Sequence, residues 1–346
     1  MSSQSQRRLL VIAALMVVLS VAIPMFRGTA GDRRTVVVYC AHDAMFADDI
    51  IRRFEKTSGI RVDVRYDEET NKSLGLTNLL IAERDAPRCD VFWNNQTLGT
   101  VRLKTLGLLS PLSEAAVRRI PEGFRDPDYH WCGFAARLRV YVINTDRMKA
   151  NPEEIEAALQ GESLRNAAIA VPLFGTTFTH YAVIAGESGL EGLRVWHQSL
   201  RDRGIHEVRG NGAVKDLVAE GACDFGFTDT DDVFVALDSG KPVAMLPVRL
   251  PSGQTICIPN TVAVIRDCQH PREAEEFAAF LLSEEVEIAL ANSASRQIPL
   301  GPVDQTKLPA VLHEHLQWAA EGIPLAKAVA EDAAVLEWLT SLYAGN

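Results

Sequence analysis

Runs of apolar residues in this chain end repeatedly in small clusters of polar ones. Val36-Val37-Val38-Tyr39 leads into Cys40-Ala41-His42-Asp43, and Ile60 to Tyr66 leads into Asp67-Glu68-Glu69-Thr70-Asn71-Lys72. Asp90-Val91-Phe92-Trp93 leads into Asn94-Asn95-Gln96. Each run has the length and residue types of a buried strand. Helical spacing fills the gaps, over Met45 to Thr57, Leu74 to Arg84 and Thr97 to Leu106. Strand and helix in alternation predict a mostly parallel sheet with helices on both faces. Ligands of such sheets bind beyond the carboxyl ends of the strands, where this sequence concentrates carboxylates and amides.

The same rhythm returns after residue 140. Val140 to Ile143 is strand-like and ends at the turn Asn144-Thr145-Asp146. Ala168 to Phe174 predicts a strand, and Gly175-Thr176-Thr177 opens a helix toward Gly186. Leu193 to Arg203 predicts another helix. A short strand at Glu207-Val208 precedes Gly210-Asn211-Gly212 and a helix to Glu220. The strand Cys223 to Phe227 runs into Thr228-Asp229-Thr230-Asp231-Asp232. We place the first crossing between two lobes at 131–144 and the return at 254–265. Helices follow at Arg272 to Leu282, Glu284 to Ala291 and Val329 to Tyr343. The expected division is 35–135 plus 264–346 for lobe 1 and 136–263 for lobe 2.

Arg7 and Arg8 precede an apolar run from Leu9 to Phe26, followed by Gly28-Thr29-Ala30. A charged start, an apolar centre and small residues at the end predict that 1–30 is a secretory signal peptide. The run also has the length of a single membrane anchor. Either reading puts the body outside the cytoplasm, in the periplasm or on the extracellular face. The formal charge of −10 argues against nucleic acid as a partner and suits cationic ligands. Six cysteines, at 40, 89, 132, 223, 257 and 268, contain no CxxC pair, which excludes a zinc ribbon or thioredoxin motif. They read as small buried hydrophobes, with a hinge disulfide between Cys132 and Cys257 as the alternative.

Asp229, Asp231 and Asp232 place three carboxylates in four positions after a buried strand. Asp43, Asp67, Glu68 and Glu69 are candidates to face them. Carboxylates at close range repel, and a hard cation or an organic cation relieves that conflict. Helix capping by Asp229 or Asp231 is the competing role. His42 is a candidate ligand through its imidazole. Lys72 and Arg137 are the basic groups expected near the cleft, to hold an anion or to pair with a neighbouring carboxylate. Gly175, Thr176, Thr177 and Asn211 sit at predicted helix starts, which hold anions or are simply capped. Trp93, Tyr39 and Tyr66 would stack on an organic cation or fill the core. His313-Glu314-His315 is not read as a metal site, since residues two apart do not share a helix face. No GxSxG, HExxH or Cys-His-Asp signature points to an enzyme.

Taken in order, further segments carry a resemblance. They are Phe54 to Ile60, Tyr66 to Ser73, Asp90 to Asn95, Gly133 to Arg137, Phe174 to Thr177, Thr228 to Asp232, Pro259-Asn260-Thr261 and Gln297 to Leu300. Over 35–302 the chain resembles the ferric-iron-type branch of the extracellular solute-binding proteins of ABC transporters. That branch is related to thiamine- and phosphonate-binding proteins. The resemblance implies an α/β, two-lobed type II periplasmic-binding-protein fold. Each lobe would hold a mixed, mostly parallel sheet flanked by helices, with two crossover strands between them. It implies a non-enzymatic, monomeric binder that delivers a small solute or metal ion to an ABC permease with its ATPase. Ferric iron with a synergistic anion is the implied cargo, with thiamine-like cations or aminophosphonates as alternatives. The histidine slot of the family falls on Asp43, the glutamate slot on Asn95 and the tyrosine pair on Asp231 and Asp232. This gives Asp43, Asp231 and Asp232 as candidate metal ligands. Asn94, Asn95 and Asn260 join the candidate binding residues through these motifs. An exported enzyme and a membrane-tethered sensor are the readings from other classes.

Overall fold

The computed structural model describes residues 34–67 and 74–344, so the expected leader at 1–30 lies outside the described residues. The first sheet begins with β1 (Thr35–Cys40), β2 (Arg61–Tyr66) and β3 (Val91–Asn94), all parallel, with β1 in the middle. Between them run α1 (Ala44–Ser58) and α2 (Leu74–Ala82). Helix α1 buries Phe46, Ala47, Ile50, Ile51 and Phe54, an i, i+3, i+4 stripe that dictates which face meets the sheet. It stops at Gly59, whose φ of 71° is left-handed and lets its N–H return to the Glu55 carbonyl.

After α3 (Leu98–Thr105), β4 (Leu109–Ser110) and α4 (Glu114–Val117) comes the long strand β5 (Cys132–Asn144). Every residue of β5 is buried. Its first half pairs with β10 (Cys257–Ile265) in the first sheet. Its second half pairs with β8 (Phe225–Asp229) and β9 (Val243–Pro247) in the second. Strand β10 runs antiparallel to β3 and β5, with a register shift between Pro259 and Asn260. So β5 and β10 are the two crossings, as the strand-like runs at 131–144 and 254–265 predicted.

The second sheet is completed by β6 (Ala167–Ala170) and β7 (His206–Val208), in the order β5-β8-β6-β7. It is covered by α5 (Pro152–Gln160), α6 (Gly175–Asp202), α7 (Gly210–Ala219) and α8 (Thr230–Asp238). The predicted strand Ala168 to Phe174 ends early because Pro172, two residues beyond Ala170, has no N–H to give to a ladder. The two helices expected between 175 and 203 are one span, α6, broken at Gly189 (φ 73°, ψ 165°). The chain finishes with α9 (Pro271–Leu281), α10 (Glu284–Ala291), α11 (Leu312–Ala320) and α12 (Ala326–Tyr343). Helices α9 and α10 pack on the first sheet. Helix α12, expected with lobe 1, instead lies along α6.

All six cysteines are free thiols, five of them buried. Cys257 is opposite Leu138 and Cys132 is opposite Val262. The two therefore sit at different levels of the paired crossings, which overturns the hinge disulfide.

Candidate functional site

Strands β1, β3 and β8 all present their carboxyl ends to the junction of the two sheets. Asp43 follows β1 and occupies the N-cap position of α1, yet its side chain makes no capping bond. Asp229 ends β8 and is the N-cap residue of α8, again with no capping bond from its side chain. The simple capping role fails for both. Asp231 and Asp232 fall in the first turn of α8, where the helix dipole favours negative charge. Ligand atoms of Asp229, Asp231 and Asp232 lie within 4.8 Å of one another.

Two buried arginines meet this cluster. Arg139 is opposite Asp229 in the β5–β8 register, and its Nη1 donates to Oδ1 at 2.7 Å. The other oxygen of Asp229 accepts from Thr176 Oγ1 at 2.5 Å and Asn211 Nδ2 at 2.9 Å. Asn211 Oδ1 in turn accepts from Thr177 Oγ1 at 2.9 Å and Arg139 at 3.1 Å. Arg137 Nε is 3.2 Å from Asp231 Oδ2. Its Nη1 donates to the Asn95 carbonyl at 2.5 Å and its Nη2 to Asn260 Oδ1 at 3.2 Å. Arg137 therefore ties the first turn of α8, the end of β3 and the return crossing together. Asp232 Oδ2 accepts from Thr228 Oγ1 at 2.7 Å, while Asp231 Oδ1 is buried without a hydrogen bond to a described residue.

The electrostatics follow from acids crowded beside two arginines. Burial lifts the Asp231 carboxyl, Arg137 pulls it back, and the charges of Asp229 and Asp43 lift it again, to about 6. Asp43, beyond the end of β1, is near enough for its charge to act on Asp231. Burial together with Asp231 and Asp229 lifts Asp232 to about 8. Both groups hold protons more tightly than an ordinary carboxylate, first because burial disfavours the charged form and then because the arginines do not balance the remaining repulsion.

Other candidates are placed differently. Trp93, expected to stack on a solute, is fully buried between His42 and Phe134, with ring centroids at 5.6 and 5.8 Å. Its apolar bulk belongs to the core of the first lobe, which corrects the binding role. His42 is buried against Phe46 and Trp93, with Nε2 3.2 Å from the Gln297 amide. Tyr39 and Tyr66 are held by Glu83 and Asp48. Asp67 accepts from the Leu76 backbone at 3.3 Å, at the start of α2. Asn94 donates to Thr100 at 3.2 Å. Asn260 bonds Phe134, Ala135 and the Gln297 amide, so it braces the two crossings. Gly175 opens α6 with φ 56°. Glu69 and Lys72 lie outside the described residues. His315 is buried and bonds the Val311 carbonyl at 2.8 Å, as an ordinary helix histidine does.

Arg139 was not among the expected residues. Its signal was the pair Arg137 and Arg139, two apart on a strand and hence on one face. A second acidic group, Asp126, Asp128 and His130, already has a resident cation: Lys104 bonds Asp126, and Asp128 at 3.0 Å.

A family profile described as bacterial extracellular solute-binding protein matches residues 49–307, three quarters of the chain. The chain belongs to this family. The bacterial extracellular solute-binding proteins are the exported, non-catalytic components of ABC importers, so a small ligand and a membrane permease are implied. No helix of the described residues is long and apolar enough to cross a membrane. The Fe(3+)-binding periplasmic protein of Serratia marcescens is 27% identical over 113 residues, 33% of this chain and 32% of that protein. The chain thus aligns with about a third of that relative's length. Iron uptake protein A1 of Synechocystis sp. is 21% identical over 279 residues, 77% of this chain and 76% of that protein. The crystal structure of iron-bound HitA from Pseudomonas aeruginosa superposes with a TM-score of 0.78 at 19% identity. It covers 88% of this chain and 99% of that one. At that identity the likeness shows the two-lobed fold.

Proposed function

We propose that this solute-binding protein captures ferric iron at the junction of its lobes, with Asp231 and Asp232 from α8 and Asp43 from the opposite lobe as the metal-facing carboxylates. The observation that carries this reading is the charge imbalance of the cluster. Three aspartates crowd within 4.8 Å, two arginines pair with only Asp229 and Asp231, and burial with mutual repulsion pushes Asp231 and Asp232 to hold protons. A hard trivalent cation removes that penalty, and oxygen donors suit it. Asp231 Oδ1 has no hydrogen bond to a described residue and is the natural first ligand atom. Asp229 is different: it is satisfied by Arg139, Thr176 and Asn211, and it positions α8 rather than the ion. The iron-related names of the relatives point the same way. Capture and release need no covalent step, because donors from both lobes meet only when the lobes close.

The test is a titration of the ion-free protein with ferric nitrilotriacetate, followed by calorimetry. Saturable one-to-one binding is expected, lost in the Asp231→Asn/Asp232→Asn variant while Asp229→Asn also loses fold stability. Absence of binding, or binding unchanged in the double variant, would overturn the iron reading.

A further inference from the structure

A cavity of about 710 Å³ opens between α3 of the first lobe and the start of α6 with α12 of the second. Its volume is in the ordinary range for small-molecule sites, roughly 300–1,000 Å³. It adjoins the aspartate cluster through the chain itself. Gln96 lines it and follows Asn95, and Gly175 lines it and precedes Thr176.

Helix α12 makes the outer wall. Val335 and Leu339 are fully buried, Trp338 packs edge-on against His197 at 5.5 Å, and Tyr343 bonds Glu207. Those contacts fix α12 to α6 and β7. The neighbouring stripe of α12 carries Asp332, Leu336 and Glu337 on the cavity, toward α3. Arg102 of α3 also lines the cavity. The lining thus holds two carboxylates and one guanidinium. Burial lifts the Asp332 carboxyl above its ordinary range, and Arg102 offsets only part of that. The remaining walls include Leu98, Phe174 and Phe178.

We propose that this cavity is a second compartment of the cleft that binds a small organic amine, its apolar body against Leu98, Phe174, Phe178 and Leu336 and its ammonium on Asp332 and Glu337. Apolar walls with a few convergent polar groups are the usual make-up of an organic-ligand site. The excess of carboxylate over guanidinium selects a cation over an anion of the same shape. Nothing in this assignment requires iron at the aspartate cluster, so the two sites can succeed or fail separately.

The experiment is calorimetry of the full chain with tryptamine and hexylamine as probes and with indole-3-propionate as an anion of matching body. Saturable amine binding is expected. The acid should bind at least tenfold more weakly. Asp332→Asn should weaken the amines on the order of tenfold, the scale of one lost charge-assisted hydrogen bond. Leu336→Trp, which fills the cavity, should abolish amine binding. Both variants should keep the wild-type melting temperature within a few degrees and the wild-type response to ferric nitrilotriacetate. Asp231→Asn/Asp232→Asn should do the reverse, losing iron and keeping the amines. Neither amine binding, the acid binding as tightly as the amines, or Leu336→Trp leaving amine affinity intact would each overturn the proposal.

Discussion

Arg139 on β5 and Asp229 on β8 stand directly opposite one another in antiparallel register, and their side chains meet at 2.7 Å with almost no solvent access. The pair joins the crossing strand to the strand that carries the aspartate cluster. A buried charge left alone is far costlier than the intact pair is beneficial. Arg139→Met should therefore lower unfolding stability by about 3–5 kcal/mol, read from urea denaturation. The double variant Arg139→Met/Asp229→Leu should recover most of that loss, since two apolar groups leave no stranded charge. A double variant no more stable than Arg139→Met would show that the pair is not the source of the cost.

The raised carboxyls set the pH dependence. Unfolded aspartates lose their protons near pH 3.9, whereas folded Asp231 and Asp232 keep theirs to about 6 and about 8. Between those limits the folded state binds more protons than the unfolded state, so this pair makes stability fall as pH rises from about 4 to about 8. Buried His180 and His197, held below their ordinary range by burial, push the other way in the lower part of that window. The comparison that isolates the aspartates is wild type against Asp231→Asn/Asp232→Asn. The melting temperature of the ion-free variant should overtake that of the wild type increasingly between pH 5 and pH 8. Ferric binding at pH 7 should release protons, seen as a calorimetric enthalpy that varies with the ionisation enthalpy of the buffer.

Much of this cluster is legible in the sequence. Asp229, Asp231 and Asp232 stood out because a buried strand ends there, and a parallel sheet puts its ligands at strand ends. Asp43 is a candidate on the same rule. The rule says nothing about which neighbour a side chain meets, so the roles of Trp93 and His42 went astray: both follow strand β1 or lie in β3, but their rings turn into the core. Arg137 was placed near the cleft, but its partner Asp231 depends on the register of β5 against β8 and on how α8 leaves the strand. Arg139 was overlooked because a buried strand is expected to be apolar, and charge within one signals a partner only when the facing strand is known. The docking of α12 on α6 was equally out of reach. Its amphipathic pattern shows that it must cover something, not which lobe it covers.

Glu287 on α10 is a second buried charge with a structural purpose. It is fully buried and accepts from the backbone N–H groups of Ala135 at 2.9 Å, Leu300 at 2.8 Å and Gly301 at 3.1 Å. Arg119 supplies its counter-charge at 2.6 Å. Ala135 has φ 40° on the crossing strand, a left-handed conformation that a side chain adopts at a cost. The carboxylate is what holds that kink to the 300–301 turn. Glu287→Gln keeps the shape but turns one amide N–H toward backbone donors and strands Arg119. We expect a loss of about 3 kcal/mol in urea denaturation. A loss under about 1 kcal/mol would mean that the backbone at Ala135 is held by other contacts.

Gly226 shows how closely α7 must approach β8 for the cluster to form. A Cβ at this position would sit 2.4 Å from Val214 Cγ1 on α7 and 2.9 Å from the Ala168 carbonyl on β6. The carbonyl cannot retreat without breaking the β6–β8 pairing, so the helix must move instead. Asn211 opens that helix and donates to Asp229 at 2.9 Å. Gly226→Ala should then cost about 1–3 kcal/mol of stability through overpacking. Through Asn211 it should also loosen Asp229 and weaken ferric nitrilotriacetate binding. Adding Val214→Ala removes the closer, helix-side contact and leaves the approach to the Ala168 carbonyl. The double variant should regain the binding, since α7 can return to its place, while part of the stability stays lost to the carbonyl contact and the truncated Val214. If Gly226→Ala is neutral in both measurements, α7 is not clamped against β8 as closely as these distances require.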